Sequence, residues 1–178
     1  MTSTIVAIDP GNTVGWIIFQ PAVRKVLAIG MFPMGVEDAF QPPLEWLDSS
    51  VTDIVIEKPV GQGFTRPTMV ETGIISGRLY QSVRKASPVQ PTWMPRHEVK
   101  KILTTATYGE VHVRNDATAW AAIKMMFGDG CDRKGKKNST QEPGIFAGVT
   151  SHVRAALALA VAYAYRADSK IFENDHLT

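Results

Sequence analysis

The first 32 residues hold three short runs rich in β-branched and apolar residues, 4–8, 14–19 and 26–32, divided by Pro10-Gly11-Asn12 and by Pro21. Such runs broken by turn residues predict consecutive strands, so the chain opens as a three-stranded meander. Beyond the meander the pattern changes. Residues 36–50 carry Val36, Ala39, Phe40, Leu44 and Leu47 near helical spacing, which predicts a helix whose start Pro42-Pro43 delays or kinks. Residues 53–57, D-I-V-I-E, read as a buried fourth strand ending in a charge. Pro67 is placed to open a helix to about 85, residues 89–93 read as a fifth strand, and helices are expected over 95–103 and 115–127. Ser151 can cap a last helix running to about 167. Strands and helices alternate after the meander and nothing repeats, so the expected fold is α/β, a five-stranded mixed sheet with helices on both faces.

With 178 residues, 44% of them hydrophobic, the chain can bury one sizeable core, and a single domain over 1–178 is expected. Nineteen Lys and Arg against 17 Asp and Glu leave a formal charge of +2, too weak a bias to announce nucleic acid, so any basic surface must come from local clustering. The polar stretch 128–148 contains Arg133, Lys134, Lys136 and Lys137 and reads as a flexible basic loop. Cys131 is the single cysteine, so no intrachain disulfide is possible, and the N-terminus lacks the basic and long apolar regions of a signal peptide. A cytoplasmic location fits best. The most apolar stretch, 155–164, is about half the length of a membrane span and reads as a buried helix, so no membrane association is expected.

Three residues suggest chemistry. Asp9 ends an apolar strand directly before a Pro-Gly turn, where a carboxylate either caps the turn or sits at the sheet rim within reach of a ligand. Glu57 also ends a strongly apolar strand. If strands one and four are neighbours, the two acids converge. Close carboxylates raise each other's pKa and imply a shared proton, a basic partner or a divalent cation, whereas the bland alternative is a surface ion pair of Glu57 with Lys58. His152 lies one position into the last helix, and residue 155, three positions on, shares its face. His97, His112 and His176 have no such context and read as capping or solvated residues.

The stretches "IVAIDPGNTVGW", "DIVIEKP", "ETGIISGRL", "PRHEVKKIL", "NDATAWAAIKMMF" and "SHVRAALALAVAYA" resemble, in order and spacing, the RuvC family of Holliday-junction resolvases within the ribonuclease-H-like superfamily. The similarity extends over most of the chain and is greatest to divergent phage-type members, for which the compartment would be the host cytoplasm. The resemblance implies a ribonuclease-H-like fold and a structure-selective endonuclease that resolves four-way DNA junctions as a symmetric dimer. It implies that Asp9 bridges two Mg²⁺ or Mn²⁺ ions, that Glu57 binds one, and that His152 with an acid at 155 holds the other. Two such ions about 3.5–4 Å apart can activate water and stabilise the leaving oxygen of a phosphodiester.

Position 155, where the family has Asp before Ala-Leu-Ala, is Ala155 in "HVRAALALA". One ligand is therefore missing, and the expectation is a catalytically disabled chain. Two explanations compete, a deliberate aspartate-to-alanine substitution and a natural binding protein that has lost catalysis. Retention of Asp9, Glu57 and His152 favours the first.

For DNA contact, the loop after Glu57 offers Gln62, Phe64 and Arg66, with Phe64 the candidate wedge at the junction exchange point, although Val60 is nearest in simple alignment. Arg96, Lys100 and Lys101 begin one helix and Arg114 precedes another, positions suited to phosphate. Lys100 matches a basic family position. A second basic position falls on Asp116, which makes Arg114 or Lys124 the possible substitutes. A dimer interface is expected on the helix from 67 to 85, although Met69, Ile74, Ile75 and Leu79 could equally be core.

Three other functions remain. "DPGNT" also resembles the phosphate loop of actin-like ATPases and sugar kinases, folds that need two such domains where this length supplies one. A non-catalytic binder of branched DNA is the natural counterpart of Ala155. Within the nuclease class, action on flaps, forks or RNA-containing duplexes is also open.

Overall fold

The structure, a computed structural model, describes residues 3–60, 67–109, 114–128, 130–132, 143–149 and 151–172. Strands β1 (Ile5–Asp9), β2 (Thr13–Gln20) and β3 (Lys25–Pro33) form the expected antiparallel meander. β4 (Asp53–Lys58) pairs with β1 in parallel, and β5 (Thr92–Pro95) pairs with β4 in parallel, giving the order β3-β2-β1-β4-β5. Among the described residues four helices accompany this sheet: α1 (Pro67–Ala86), α2 (Arg96–Tyr108), α3 (Asp116–Phe127) and α4 (Ser151–Ala167). The five-stranded mixed sheet with helices on both faces is the architecture expected.

β1 is buried along its whole length because it is central and covered on both sides. Its alternation sorts the layers. Ile5 and Ala7, with Val55 of β4 and Ile17 and Phe19 of β2, pack under α2, α3 and α4. Val6 and Ile8, with Ile54 and Ile56, pack against Ile75, Leu79 and Val83, which recur at four-residue spacing along one face of α1. The apolar residues of α1 divide between core and surface. Ile75 and Leu79 are core, whereas Ile74 and Val70 are exposed. α4 buries Val153, Ala156, Leu157, Leu159 to Ala162 and Ala164, an almost all-round apolar surface that suits a helix enclosed between the sheet and two other helices.

Several expected boundaries differ. Residues 36–50 do not form an α-helix; they contain only a 3-10 turn, Leu44–Leu47. Pro42 and Pro43 provide no N–H donors, Pro43 is extended, and the apolar side chains that suggested periodicity anchor an irregular segment instead. Trp46 is fully buried, edge-on to Trp16 and beside Phe32 and Phe40. β5 is shifted from 89–93 to Thr92–Pro95, because its register is set by pairing Val55 with Thr92 and Lys58 with Pro95. α2 continues past 103 to Tyr108 and stops at Gly109, whose φ of 73° is open to glycine and whose N–H donates to the Thr105 carbonyl. α3 starts one residue after the expected 115, because Asn115 caps it: its side chain accepts from the Thr118 N–H at 2.8 Å.

The basic residues Arg133, Lys134, Lys136 and Lys137 lie outside the described residues. The described ends of that stretch are anchored. The Phe146 N–H donates to the Cys131 carbonyl at 2.7 Å, and the Phe146 ring is buried edge-on against Phe127.

Candidate functional site

Parallel pairing of β1 with β4 aligns Ile8 with Ile56, so the next residues, Asp9 and Glu57, finish neighbouring strands at the same end of the sheet. Both share the parity of Ala7 and Val55 and therefore face α4, and both are buried. The carboxyl ends of parallel strands are where open α/β sheets place ligands. Gly15, paired with Asp9 on β2, lets α4 come down onto this edge: a Cβ at 15 would lie 2.6 Å from the His152 Cβ and carbonyl oxygen. The approach puts His152 Nδ1 3.1 Å from Asp9 Oδ2, so an imidazole with hydrogen on Nδ1 donates to that carboxylate.

Arg96 completes the cluster. It is the first residue of α2, directly after the strand that pairs with the Glu57 strand. Its Nη1 donates to both Glu57 oxygens at 3.1 Å and lies 3.7 Å from Asp9 Oδ1. Its Nη2 donates to Asp116 Oδ1 at 3.3 Å, and Lys100 Nζ reaches the same oxygen at 3.0 Å. Burial pushes the Glu57 carboxyl up to about 7, the Asp9 charge adds to the rise, and Arg96 opposes it. Burial also raises Asp9, against the lowering effects of the His152 hydrogen bond and Arg96. Burial works against charge on Arg96, but Glu57, Asp116 and Asp9 outweigh it and hold the guanidinium protonated. At Asp116 the burial penalty is outweighed by Lys100 and Arg96, which lower its pKa.

A carboxyl group raised by folding penalises the native state only when ionised. The Glu57 penalty is therefore absent below its ordinary value of 4.5, grows as pH rises, and is complete above about 7. Glu57→Gln removes it. In chelator-treated protein the variant should melt roughly 5 °C above the parent at about pH 8, with no advantage at about pH 4.5. Differential scanning fluorimetry checks this, and an equal shift at both pH values would show that charge burial is not the cause.

The cluster lines a cleft of about 620 Å³ whose walls include Asn12, Thr68, Lys100, Trp120, Arg154 and Ala155. The first turns of all four helices border it, through Thr68 on α1, Arg96 on α2, Asp116 on α3 and Ser151 on α4. Helix N-termini present unpaired N–H groups, so the cleft suits an anion despite its own acids. Ala155 stands on the cleft wall with His152 and Ala158.

The other sequence candidates divide. Arg96 and Lys100 are in the cleft, but both are ion-paired to carboxylates rather than free for phosphate. Lys101, Arg114 and His97 are exposed and do not line the cleft. Lys124 pairs with Asp132 at 3.1 Å. Gln62, Phe64, Arg66, His112 and His176 lie outside the described residues. Lys58 is exposed; the partner of Glu57 is Arg96. Sequence reasoning missed Asp116 as the acid joining Arg96 to Lys100, and missed Trp120, over which the Arg154 guanidinium lies at 4.5 Å. A tryptophan amid the small residues of "NDATAWAA" was the available signal.

Two buried carboxylates and an imidazole are donors of the kind Mg²⁺ or Mn²⁺ accepts. Their arrangement is not a ligand set. Among the described residues, no three His, Cys, Asp or Glu side chains are grouped to hold a metal ion, and the Arg96 guanidinium stands against both carboxylates. As folded, the site does not fit a pair of divalent ions.

No protein-family model matches the chain, and no curated protein matches its sequence. Solved structures do. The chain is similar to the Thermus thermophilus RuvC structure, with a TM-score of 0.58 at 14% identity, covering 94% of this chain and 97% of that one. It is also similar to T. thermophilus RuvC in complex with Holliday junction substrate, with a TM-score of 0.57 at 12% identity, covering 95% and 97%. At such identities the likeness shows the fold, and the fold is RuvC-like. Among the described residues no helix is long and apolar enough to cross a membrane.

Proposed function

We propose that this chain binds branched DNA, four-way junctions foremost, at the Asp9–Glu57 cleft, and that it is a junction-resolving endonuclease disabled by Ala155. The observation that supports this most is the meeting of Asp9, Glu57, His152 and Ala155 at one cleft on a RuvC-like fold, one of whose solved examples holds a Holliday junction. The elements lining the cleft suit phosphate. Four helix N-termini and Arg154 favour a phosphodiester, and Trp120 beside Arg154 offers a flat apolar surface to a sugar or base. Mg²⁺ or Mn²⁺ is the cation class that the carboxylates would take once an acid at 155 completes the set. No step of hydrolysis is assigned to the chain as it stands.

A symmetric dimer belongs to the same reading, since two strands related by a two-fold axis must be met by two sites. The exposed Val70 and Ile74 on α1, four residues apart, form the apolar surface available for it.

Gel-shift or anisotropy titration should give tighter binding to a four-way junction than to linear duplex of equal length. Affinity should fall roughly 10- to 50-fold between about 50 and about 200 mM salt, as expected when about three phosphates are neutralised. Equal affinity for both DNAs would remove the junction preference. Stabilisation by ATP in place of DNA would instead support the actin-like reading of "DPGNT".

A further inference from the structure

We infer that Arg96 is the resident cation of the Asp9–Glu57 pair, and that a divalent ion can enter only by displacing it. The position of Arg96 Nη1 carries this inference. It lies 3.1 Å from each Glu57 oxygen and 3.7 Å from Asp9 Oδ1, at the point from which a single cation would contact both carboxylates. A Mg²⁺ ion needs carboxylate oxygens at about 2.0–2.1 Å and cannot share that point with a guanidinium. Occupation is therefore mutually exclusive.

Three features favour the guanidinium as a standing occupant. Arg96 begins α2 immediately after β5, so its backbone is held by the pairing of Met94 with Glu57 and of Pro95 with Lys58. Its charge is permanent, so one positive charge always faces the two buried acids without any ion from solution. Asp116, exposed beside it, already accepts from Nη2 at 3.3 Å and supplies a second partner onto which the displaced side chain can move. In the structure Arg96 spans Glu57 and Asp116 together, and entry of an ion would leave it on Asp116 alone.

The inference rests on reading Asp9 and Glu57 as a cation-binding pair, and the test separates the two claims. Mn²⁺ binding to the full chain is measured by loss of the free-ion electron paramagnetic resonance signal, which needs neither DNA nor activity. Arg96→Gln should bind Mn²⁺ at least about tenfold more tightly than the parent, because a positive charge has left the ion's immediate surroundings. Arg96→Lys keeps the charge balance if the glutamine variant does not fold, and should show a smaller gain of about threefold, since an ammonium cannot span Glu57 and Asp116 together. Affinity within about twofold of the parent in every folded Arg96 variant overturns the inference. Ala155→Asp adds a donor without touching Arg96. If it binds Mn²⁺, and Asp9→Asn abolishes that binding, while Arg96 variants stay at the parent level, the cation pair stands and the role of Arg96 falls. If none of these chains binds Mn²⁺, both claims fall together.

Discussion

On the proposed function, Ala155→Asp is expected to give a chain that nicks four-way junctions in Mg²⁺ or Mn²⁺ about a hundredfold or more faster than the parent. Position 155 borders the same cleft as Asp9, Glu57 and His152, and it lies one turn along α4 from His152, so a carboxylate there projects beside the existing donors. The added acid places a third carboxylate beside Asp9 and Glu57 and tips the balance of charge away from Arg96 alone. Cleavage is read on end-labelled junctions, with junction affinity measured in parallel. If cleavage is absent while Mn²⁺ and junctions both bind, the chain is a dedicated binder of branched DNA. Nicking of linear duplex at the same rate would point to a nuclease of broader choice.

Gly15→Ala should be among the most damaging single changes in the protein, although it adds one methyl group. That methyl would sit 2.6 Å from the His152 Cβ and carbonyl oxygen, and α4 cannot retreat cheaply because Leu157, Leu159, Ala160 and Val161 fill the core beneath it. A cost of about 3 kcal/mol is expected, lowering the melting temperature by roughly 6–12 °C for a chain of this size. The first turn of α4 should also lift from β2, breaking the 3.1 Å His152–Asp9 contact. Thermal melting checks the first effect, and the His152 imidazole resonances in NMR check the second. A variant that melts within about a degree of the parent would mean that the helix start yields freely.

Both substitutions act at positions that looked unremarkable in isolation. Gly15 sits inside "TVGWIIFQ", where an interior strand glycine signals close backbone approach, but nothing local says what approaches. The approaching residue, His152, is 137 positions away in sequence. Ala155 is one alanine among many in α4; its spacing from His152 puts it on the same face, and only the family resemblance of "HVRAALALA" implies an acid there.

Much of the fold was legible because local chemistry and tertiary context agree. The meander is spelled by β-branched runs and turn residues, and α3 lies within a residue of the expected 115–127. Residues 36–50 failed because apolar side chains near helical spacing can serve a loop pinned to a core as well as a helix, and two prolines decide for the loop. β5 was misplaced because an edge strand of four residues takes its register from its neighbour rather than from its own sequence.

For the site, the sequence by itself determined which groups are available: two acids at strand ends, a histidine at a helix start, and an alanine where an acid would share its face. Residue type, strand parity and helical spacing are local properties, so they can be read without coordinates. Only the tertiary structure decided how those groups are balanced. It brought Arg96 onto Glu57 and Asp9 rather than outward to DNA, and made Asp116 the link between Arg96 and Lys100. The reason is physical. A buried carboxylate must find its counter-charge within a few ångströms, and which cation comes that close depends on how β5 and three helix starts converge, a long-range packing outcome that no local pattern encodes.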